Sequence, residues 1–401
     1  MSSASSKGQS QRAEAWGSSG LAYLTGLPDG PADFSRAGVL TRAHDVASAI
    51  GDRLHIGVDA VSLLTGRAAL LGLTRGGRVS PGGGTRLLTA RDGCCALTLS
   101  RADDLDAVPA LLQVDDVSAD PWPALQRWAA NRSVAEVVER AGLLDIPVAG
   151  LGEAAPAPPR LSRCAARTAP RAPQGLLVAD LSSMWAGPLC GRLLARAGAT
   201  VVKVESPRRP DGTRAGDGTF FDWMNGEKLS YTVDFDSEAD ELRELLAASD
   251  IVIEGSRPAA LARRGLGPDD VTPRAGRIWL QITGYDGRRP GFGDDTAVAG
   301  GLVGTSVQGP VFCGDAIADP LTGLEAALAV AECLGRGGGE LIRVSMAGVA
   351  ATYAALPTAP SESSAPVSPP SAPAASRPAS GPGADNETVR HLVSQRRCLS
   401  C

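Results

Sequence analysis

Asp319 is the residue of this sequence with the clearest means to act as a nucleophile. It stands immediately before Pro320 and the apolar stretch 321–334 (LTGLEAALAVAECL), which has the composition of a buried helix. Proline is favoured at the first helical position, so the sequence predicts that Asp319 caps this helix. The helix dipole keeps a carboxylate ionised there and therefore able to attack a carbonyl carbon. The residues alone favour the capping role, which is compatible with a catalytic one.

Trp185 marks a second place where chemistry could occur. It lies in the loop 182–188 (SSMWAGP), which follows the apolar run 175–180 (GLLVAD). Parallel α/β sheets bind ligands beyond the carboxyl ends of their strands, so this loop is the predicted pocket. The indole could stack on an adenine or cover the core, and the residues leave both open. No GxGxxG or GxxxxGK[ST] motif occurs, which argues against dinucleotide and nucleoside triphosphate ligands.

Basic residues and glycines could complete such a pocket. Four cations that follow the elements of this sheet could hold the phosphates of a ligand such as coenzyme A, although each alone is more often surface charge: Arg214, Lys228, Arg257 and Arg263. The loop 80–85 (SPGGGT) contains Gly82, Gly83 and Gly84 in succession. Consecutive glycines permit positive φ and a close approach of backbone to substrate, but they also suit a plain hairpin connection.

The elements that must position these residues follow from the hydrophobic pattern. Short apolar runs alternate with amphipathic stretches at 175–180, 199–205, 230–235, 250–254 and 277–282. Strands that alternate with helices predict an α/β domain with a doubly wound, parallel, Rossmann-like sheet.

The preceding segment has a different pattern. Short apolar runs at 86–89 and 94–99 are joined by an Asp-Gly turn, and 124–130 and 133–141 have helical spacing, with Ser133 and Glu136 as a capping box. A smaller α+β domain is therefore predicted, placed N-terminally.

Composition shifts set the predicted boundaries. Residues 154–173 and 357–385 are rich in Ala and Pro without helical periodicity. We expect a disordered start (1–14), the smaller domain (15–153), a linker (154–173), the large domain (174–356) and a disordered tail (357–401).

The bulk composition excludes several function classes. Lys and Arg number 39 against 44 Asp and Glu, with no basic stripe, so nucleic acid is not an expected partner. No leader-like or membrane-spanning apolar run occurs, which predicts a cytoplasmic protein without membrane contact. Only three histidines are present and the eight cysteines show no paired spacing, so no metal site is predicted.

Six blocks in order make the segment 174–350 similar to the class III CoA-transferases, a family that includes formyl-CoA and carnitine CoA-transferases and the α-methylacyl-CoA racemases. The blocks are 178–181 (VADL) with 185–188 (WAGP), 199–205 (ATVVKVE), 211–214 (DGTR), 225–228 (NGEK) leading to 233–234, 250–254 (DIVIE) with 257–258 and 265–267, and 282–285 (ITGY) followed by 316–323. The resemblance implies a CoA-binding large domain at 174–356.

The resemblance also implies a mechanism. Asp319, four residues before Gly323, matches the family's catalytic aspartate. Its carboxylate would attack an acyl-CoA thioester, form an aspartyl acyl anhydride, and return CoA through an aspartyl-CoA thioester. CoA and a carboxylic acid would be substrates, with no permanently bound cofactor. The family's CoA-holding positions match Trp185, Ala186, Val233, Asp234 and Arg263, whereas Ser206 and 255–256 depart from its pattern.

The leading half resembles other parts of the same family. Residues 79–84 match its substrate-side glycine loop and 146–149 a late block of its small domain, although here they precede the large domain. Residues 19–31 resemble a partial second copy of the stretch before the aspartate, whose place falls near Thr41. We expect a fused or permuted arrangement in which the leading half is a degenerate repeat.

Two other functions stay open. A 2-methylacyl-CoA racemase or epimerase would need a second acid-base group, usually a histidine, where this sequence has Gly293. A non-catalytic CoA-binding subunit would explain the partial repeat. The family resemblance implies a homodimer, or a heteromer with a related transferase chain.

Overall fold

The computed structural model describes residues 2–255 and 260–398, with the side chains of 2–7 excepted. The helices of the described residues are α1 (Ser2–Ser18), α2 (Gly38–Leu54), α3 (Ala60–Leu70), α4 (Ala102–Asp106), α5 (Val108–Leu112), α6 (Trp122–Ala130), α7 (Val134–Leu143), α8 (Ala186–Arg196), α9 (Thr219–Asn225), α10 (Ala239–Ala248), α11 (Gly293–Ala299), α12 (Ala318–Gly335), α13 (Met346–Ala354) and α14 (Asn386–Cys398). Short 3₁₀ turns cover Gly212–Arg214 and Ala262–Arg264.

The strands of the described residues form two sheets and a hairpin. They are β1 (Thr85–Thr89), β2 (Cys94–Thr98), β3 (Val148–Gly150), β4 (Arg160–Arg163), β5 (Leu177–Asp180), β6 (Thr200–Glu205), β7 (Leu229–Thr232), β8 (Ile251–Glu254), β9 (Ile278–Thr283), β10 (Val303–Ser306), β11 (Gly309–Phe312) and β12 (Glu340–Ser345).

The large sheet has the strand order β4-β12-β9-β8-β5-β6-β7. All neighbours are parallel except β4, which pairs antiparallel with β12. The chain runs outward from β5 through β6 to β7, then returns to β8 on the other side of β5. This is the doubly wound order, with its switch point between β5 and β8. The predicted α/β fold is therefore confirmed, and each predicted strand of this sheet overlaps an observed one.

Both faces of the large sheet are covered, as a parallel sheet requires. On one face Val178, Ile253 and Leu280 pack with α8, α12 and α13. On the other face Val252 and Trp279 pack with α10 and α14.

The first three helices belong to the core of the large domain. Trp16, Leu40 and Leu64 are buried in the same cluster as α8 and α12. This part of the predicted small domain 15–153 packs with the large domain, which covers the apolar faces of α2 and α3. The disorder predicted for 1–14 is also not observed over 2–14, which lie within α1. Thr41, the expected place of a degenerate aspartate, is exposed on α2.

The small sheet has the order β1-β2-β3 and is antiparallel throughout. Its hairpin and the capping box of Ser133 and Glu136 at the start of α7 are confirmed. One face packs on α5, α6 and α7, and Leu87 and Ala96 on the other face contact α11 and the β10–β11 hairpin. Part of 174–356 thus packs with the small sheet.

The segment predicted to be a linker supplies the edge strand β4. Its side chains are all exposed, so backbone pairing with β12 rather than burial holds it. Residues 160–163 lack the alternation of apolar and polar residues that is typical of a strand, and the sequence therefore predicts a linker.

The segment predicted to be a disordered tail has extended and helical structure over much of its length. Residues 357–385 run extended along the protein, where Ala359 and Ser368 donate backbone hydrogen bonds to Ser35 and Gly17. Helix α14 then buries Val389 and Val393, which are four residues apart and so lie on one helical face. Two buried apolar residues are too few to reveal the helix in a polar sequence, and ion pairs such as that of Arg390 with Glu241 also attach it.

Candidate active site

The loop after β5 crosses the switch point of the large sheet and leads into α8. Lys203 holds this loop through the backbone carbonyl of Ser182 and forms an ion pair of 2.7 Å with Asp211. Asp211 in turn accepts the backbone N–H of Met184 at 3.2 Å. Met184 has a φ of 72°, a left-handed conformation that costs energy for a side chain of this size. A buried ion pair therefore fixes the backbone immediately before Trp185.

Asp319 lies opposite this loop, at the start of α12. The helix begins at Ala318 with Ile317 as its N-cap, so the prediction that Asp319 itself is the cap is wrong by two residues. The carboxylate instead lies in the first turn, where helix N–H groups remain unpaired. It is half-buried and accepts backbone N–H groups of Ala186 and Gly293.

Two glycines permit this close packing. A Cβ at Gly293 would overlap Asp319 Oδ2 and the carbonyl oxygen of Ala316. A Cβ at Gly323, one turn along α12, would lie 2.7 Å from Leu189 Cδ2 and 2.8 Å from the Ala186 carbonyl oxygen. A larger residue at Gly323 would separate α12 from α8, and one at Gly293 would displace the Asp319 carboxylate. Both glycines are therefore needed to hold Asp319 against the loop.

Arg67 on α3 is the cation of the site. Its Nη1 donates to both oxygens of Asp315, at 2.6 and 2.8 Å, and its guanidinium carbon lies 5.8 Å from the centroid of the Trp185 ring. Asp315 is fully buried, whereas the Arg67 side chain is 24% exposed. An N-terminal helix therefore supplies a charge to a site of the large domain.

Asp294 is a further carboxyl group of this cluster. It accepts the backbone N–H of Ala316 at 3.0 Å and a hydrogen bond from the Thr85 hydroxyl at 3.3 Å. Burial and the nearby Asp315 raise its pKa to about 7, against the opposing effect of Arg67. Burial likewise raises the pKa of Asp319 to about 7, with Arg67 lowering it and Asp294 raising it further. Both carboxyl groups therefore titrate near neutral pH.

A chain of hydrogen bonds links this cluster to the small sheet. The Thr85 hydroxyl lies 2.9 Å from that of Thr98, which donates to Asp295 at 3.2 Å. Asp295 accepts from the Tyr285 hydroxyl at 2.7 Å. The small sheet thus fixes the start of α11 and with it Asp294.

Trp185 is buried, with 2% of its surface exposed. Its ring meets that of Phe220 edge to face, with centroids 5.3 Å apart. The indole Nε1 is buried and has no hydrogen-bond partner among the described residues. A buried donor without an acceptor is uncommon in folded proteins.

The predicted phosphate-binding cations have different surroundings. Arg214 donates through Nε to both oxygens of Glu205, at 2.9 and 3.0 Å. Lys228 is buried and bonded to Asp180 at 2.8 Å. Both charges are neutralised within the fold by carboxylates, and the buried Lys228 cannot reach a surface ligand.

The remaining predicted CoA contacts are dispersed. Val233 is buried in the core, and Asp234 forms an ion pair of 2.9 Å with Arg208. Arg263 is exposed in a 3₁₀ turn, and Arg257 lies outside the described residues. Ala186 is buried with its N–H on Asp319. Among the described members of this set, only Trp185 and Ala186 lie beside the nucleophile.

The glycine loop lies next to the charged cluster. Gly82 and Gly83 are exposed, and a Cβ at Gly82 would lie 3.6 Å from Arg67 Nη2 and 3.9 Å from Asp315 Oδ1. Gly84 lies against Ser100, whose hydroxyl would be 2.7 Å from an added Cβ. The loop therefore borders the Arg67–Asp315 ion pair.

Open cavities occur elsewhere on the described surface. One of about 630 Å³ is lined by α10 and α14 residues, and another of about 420 Å³ by Arg53, Arg171 and Arg336. Asp319 and Trp185 line neither of them. Over residues 2–255 and 260–398, no cluster of His, Cys, Asp or Glu could hold a metal ion, and no helix is long and apolar enough to cross a membrane.

Sequence analysis missed Arg67, Asp294 and Asp315. Arg67 is the one charge in the helix sequence AVSLLTGRAAL, and a lone arginine on an apolar helix signals a buried partner. Asp315 and Asp294 carry no comparable local signal, because only the fold brings them together.

Comparison with known proteins identifies relatives of part of the chain. It is 33% identical over 177 residues to the succinyl-CoA–L-malate CoA-transferase beta subunit of Chloroflexus aurantiacus, covering 39% of this chain and 43% of the relative. It is 32% identical over 154 residues to (R)-2-hydroxy-4-methylpentanoate CoA-transferase of Clostridioides difficile, covering 34% of this chain and 38% of the relative. The chain thus matches less than half the length of these curated relatives.

Solved structures give a partial superposition. A crystal structure of a hypothetical protein from Mycobacterium tuberculosis aligns with a TM-score of 0.40 and 30% identity, covering 47% of this chain and 56% of that one. A CAIB/BAIF family protein from Brucella suis also aligns with a TM-score of 0.40 and 30% identity, covering 45% of this chain and 54% of that one. The family model described as CoA-transferase family III matches residues 174–378, just over half of the 401 residues, and the chain therefore belongs to that family.

Proposed function

We propose that this chain transfers CoA from an acyl-CoA donor to a carboxylic acid, with Asp319 as the nucleophile. The observation that carries the proposal is the position of its carboxylate, half-buried at the first turn of α12 and next to Trp185 and Ala186 at the switch point of the sheet. Ligands of doubly wound folds bind at this point. The relatives' names support CoA thioesters and small acids as the substrate classes.

The chemistry requires an ionised carboxylate in a polar, partly closed site. Asp319 would attack the thioester carbonyl carbon, forming a C–O bond while the C–S bond breaks and CoA thiolate leaves. The thiolate would then attack the aspartyl carbonyl of the anhydride, releasing the first acid and leaving an aspartyl-CoA thioester. The acceptor acid would reverse these steps. Arg67 supports these reaction steps because its positive charge acts on Asp319. It would stabilise the negative charge on the Asp319 carboxylate, on the oxyanion of the tetrahedral intermediate and on the CoA thiolate in turn.

The backbone geometry supports the same assignment. The backbone N–H groups of Ala186 and Gly293 lower the pKa of the Asp319 carboxyl group. In the tetrahedral intermediates that form on its carbonyl carbon, these donors would face an oxygen with growing negative charge. Their positions are set by Gly293 and Gly323, which leave no room for a side chain.

The test combines exchange and trapping. The protein is incubated with a panel of acyl-CoAs and free acids, CoA exchange is followed by mass spectrometry, and hydroxylamine is added to trap the intermediate. We expect a hydroxamate at Asp319 and no exchange by Asp319→Asn. A Glu332→Gln control, which removes an exposed carboxylate paired with Arg53 away from this cluster, should still form the hydroxamate. Exchange without any adduct at Asp319 would contradict the covalent mechanism.

A racemase or epimerase reaction at the acyl α-carbon is the second candidate, favoured by one observation. Asp294 is a second carboxyl group beside Asp319 whose pKa burial raises to about 7, so one could hold a proton while the other is ionised. In D₂O this reaction would place deuterium at C2 of 2-methylacyl-CoA without an acid acceptor. Deuterium exchange that disappears in Asp294→Asn, together with absent CoA exchange, would replace the transferase proposal.

Assembly with another chain is a further part of the proposal. One relative is named as a beta subunit, and the match covers less than half of each relative described above. We propose a homodimer, or a heteromer with a related transferase chain. Light scattering of the purified protein distinguishes a monomer from either assembly.

A further inference from the structure

The orientation of Arg67 leaves one side of its guanidinium unused. Asp315 takes both of its hydrogen bonds from Nη1 alone, and Nε and Nη2 make no hydrogen bond to the described residues. The Nε–Nη2 side of an arginine is a planar pair of donors that matches the two oxygens of a carboxylate. Arg67 is therefore fixed by one carboxylate while its bidentate edge is available for another.

Two aromatic rings lie beside this guanidinium. Its carbon lies 5.8 Å from the Trp185 centroid and 5.5 Å from the Phe220 centroid. The glycine loop borders Arg67 Nη2, since a Cβ at Gly82 would lie 3.6 Å from it. The exposure of the Arg67 side chain, 24%, is sufficient for a small ligand to reach it.

The unpartnered Nε1 of Trp185 is an independent sign of a ligand. The indole is 2% exposed, and water therefore does not readily supply the missing acceptor. Leaving a buried donor without a partner costs about 1–3 kcal/mol. An oxygen of a bound molecule beside the ring would supply the acceptor.

We propose that Arg67 and Trp185 form the subsite for the free carboxylic acid, with the acid's carboxylate on the Nε–Nη2 edge of Arg67 next to Asp319. The proposal rests on the proposed function and deepens it. The phosphates of CoA are not the expected occupant, because the whole pantetheine arm separates them from the thioester. Arg67 instead acts electrostatically on the reacting group, since its charge lowers the pKa of Asp319.

The charges of the cycle agree with this assignment. In the free enzyme the negative charge of Asp319 and an incoming carboxylate would repel each other beside Arg67. In the aspartyl-CoA thioester the Asp319 side chain is neutral. An incoming carboxylate then takes the place of the lost charge. Its oxygen attacks the aspartyl carbonyl carbon, the C–S bond breaks, and the thiolate leaves with the electron pair, so that one negative charge enters and one leaves without a proton.

The test separates the two halves of the reaction with Arg67→Lys and Arg67→Gln. Arg53→Gln is the matched control, because it removes an exposed arginine whose partner is Glu332. With succinyl-CoA as donor and glutarate as acceptor, we expect the Arg67 variants to lose less of the rate of Asp319 adduct formation than of the affinity for the acid. The KM for the acid should rise ~10- to 100-fold, with Lys less affected than Gln. Trp185→Phe should raise it severalfold.

Each outcome decides the proposal. A loss of adduct formation and of acid affinity in equal measure would mean that Arg67 is only structural, and an unchanged KM for the acid would also overturn the subsite. If the parent shows exchange but no adduct, the covalent function fails while the KM comparison still tests Arg67. If no exchange occurs at all, the KM cannot be measured, and the test becomes the modification of Arg67 by phenylglyoxal, which mass spectrometry detects. Protection by succinate supports the subsite, and equal labelling with and without succinate overturns it.

Discussion

Arg67 and Asp315 form the ion pair that joins the N-terminal helices to the loop before the nucleophile. Nη1 of Arg67 reaches both Asp315 oxygens at 2.6 and 2.8 Å, and the carboxylate has no exposed surface. Asp315 also keeps the pKa of Arg67 above its ordinary value despite burial. The site is therefore assembled from parts of the chain that are far apart in sequence.

Asp315→Asn should destabilise the protein strongly. It leaves a largely buried guanidinium without its counter-charge, which costs about 2–4 kcal/mol. Urea denaturation followed by circular dichroism measures the loss in the free energy of unfolding. Glu332→Gln, which breaks the exposed pair with Arg53, should cost less than about 0.5 kcal/mol. Equal losses in the two variants would show that the Arg67 pair is not coupled to folding.

Gly293→Ala should reduce CoA transfer at least about 100-fold, because the added methyl group must displace the Asp319 carboxylate or the Ala316 carbonyl. We also expect a loss of about 1–3 kcal/mol of unfolding free energy. Gly335→Ala is the control, since that glycine on α12 has nothing within 4 Å of an added Cβ. Steady-state rates and thermal melts of both variants measure the difference. A fully active Gly293→Ala protein would contradict the tight placement of Asp319.

The transfer rate should rise with pH through about 7. Burial raises the pKa of Asp319 to about 7, and only the ionised form attacks the thioester. Asp294→Asn removes a neighbouring negative charge that raises this pKa, so the midpoint should move to lower pH. Arg67→Gln removes a cation that lowers it, so the midpoint should move to higher pH. Because Asp294 and Asp319 interact, the midpoint belongs to the pair.

Profiles of kcat/KM from pH 5 to pH 9, measured within the range in which each variant stays folded, test these directions. A shift of both variants in the same direction would contradict the assigned charges. A flat parent profile would mean that the ionisation of Asp319 does not limit the reaction.

The large sheet could be predicted from the sequence because its strands are short apolar runs separated by amphipathic helices. The loop of Trp185 and the position of Asp319 at the start of a helix followed from the same pattern. Arg67 could not be placed, because its partners Asp315 and Asp294 become neighbours only when α3 packs on the large domain.

The errors have related causes. Strand β4 has no apolar alternation and is held by backbone pairing. Helices α2 and α3 have apolar faces that could pack on either domain. Hydrophobic periodicity predicts the helices but not the element that covers them, which here is α12. The predicted N-cap of α12 differs from the observed one because proline suits more than one early helical position, so Pro320 does not fix where the helix begins.

Asp319→Asn should stabilise the protein at alkaline pH while abolishing transfer. A carboxyl whose folded pKa is raised to about 7 binds a proton more tightly when folded than when unfolded, so its ionisation destabilises the fold as pH rises from about 4 to above 7. Replacing it with a neutral amide removes this penalty, which we set at about 1–3 kcal/mol for a half-buried group. Denaturation at pH 5 and pH 8 should show a gain that is larger at pH 8. A gain that is equal at both values would contradict the raised pKa.

Helix α14 should contribute measurably to the stability of the large domain. Val389 and Val393 are buried against the sheet face, and the Asn386 side chain donates to the Thr232 carbonyl and accepts its N–H, both at 2.9 Å. Val389→Ala should cost about 1–2.5 kcal/mol through lost burial. Asn386→Ala should cost about 1–2 kcal/mol, because it leaves two backbone groups at the edge of β7 without their partners.

Val367→Ala is the matched control, because that valine is 40% exposed in the extended segment before α14. It should change the unfolding free energy by less than about 0.5 kcal/mol. Equilibrium denaturation of the three variants gives the comparison, and hydrogen exchange of β7 amides shows whether α14 protects this edge strand. If Val389→Ala and Asn386→Ala are as stable as the control and β7 exchanges at an unchanged rate, α14 does not hold the sheet edge. Losses of the expected size would instead make the last helix part of the domain that carries Asp319.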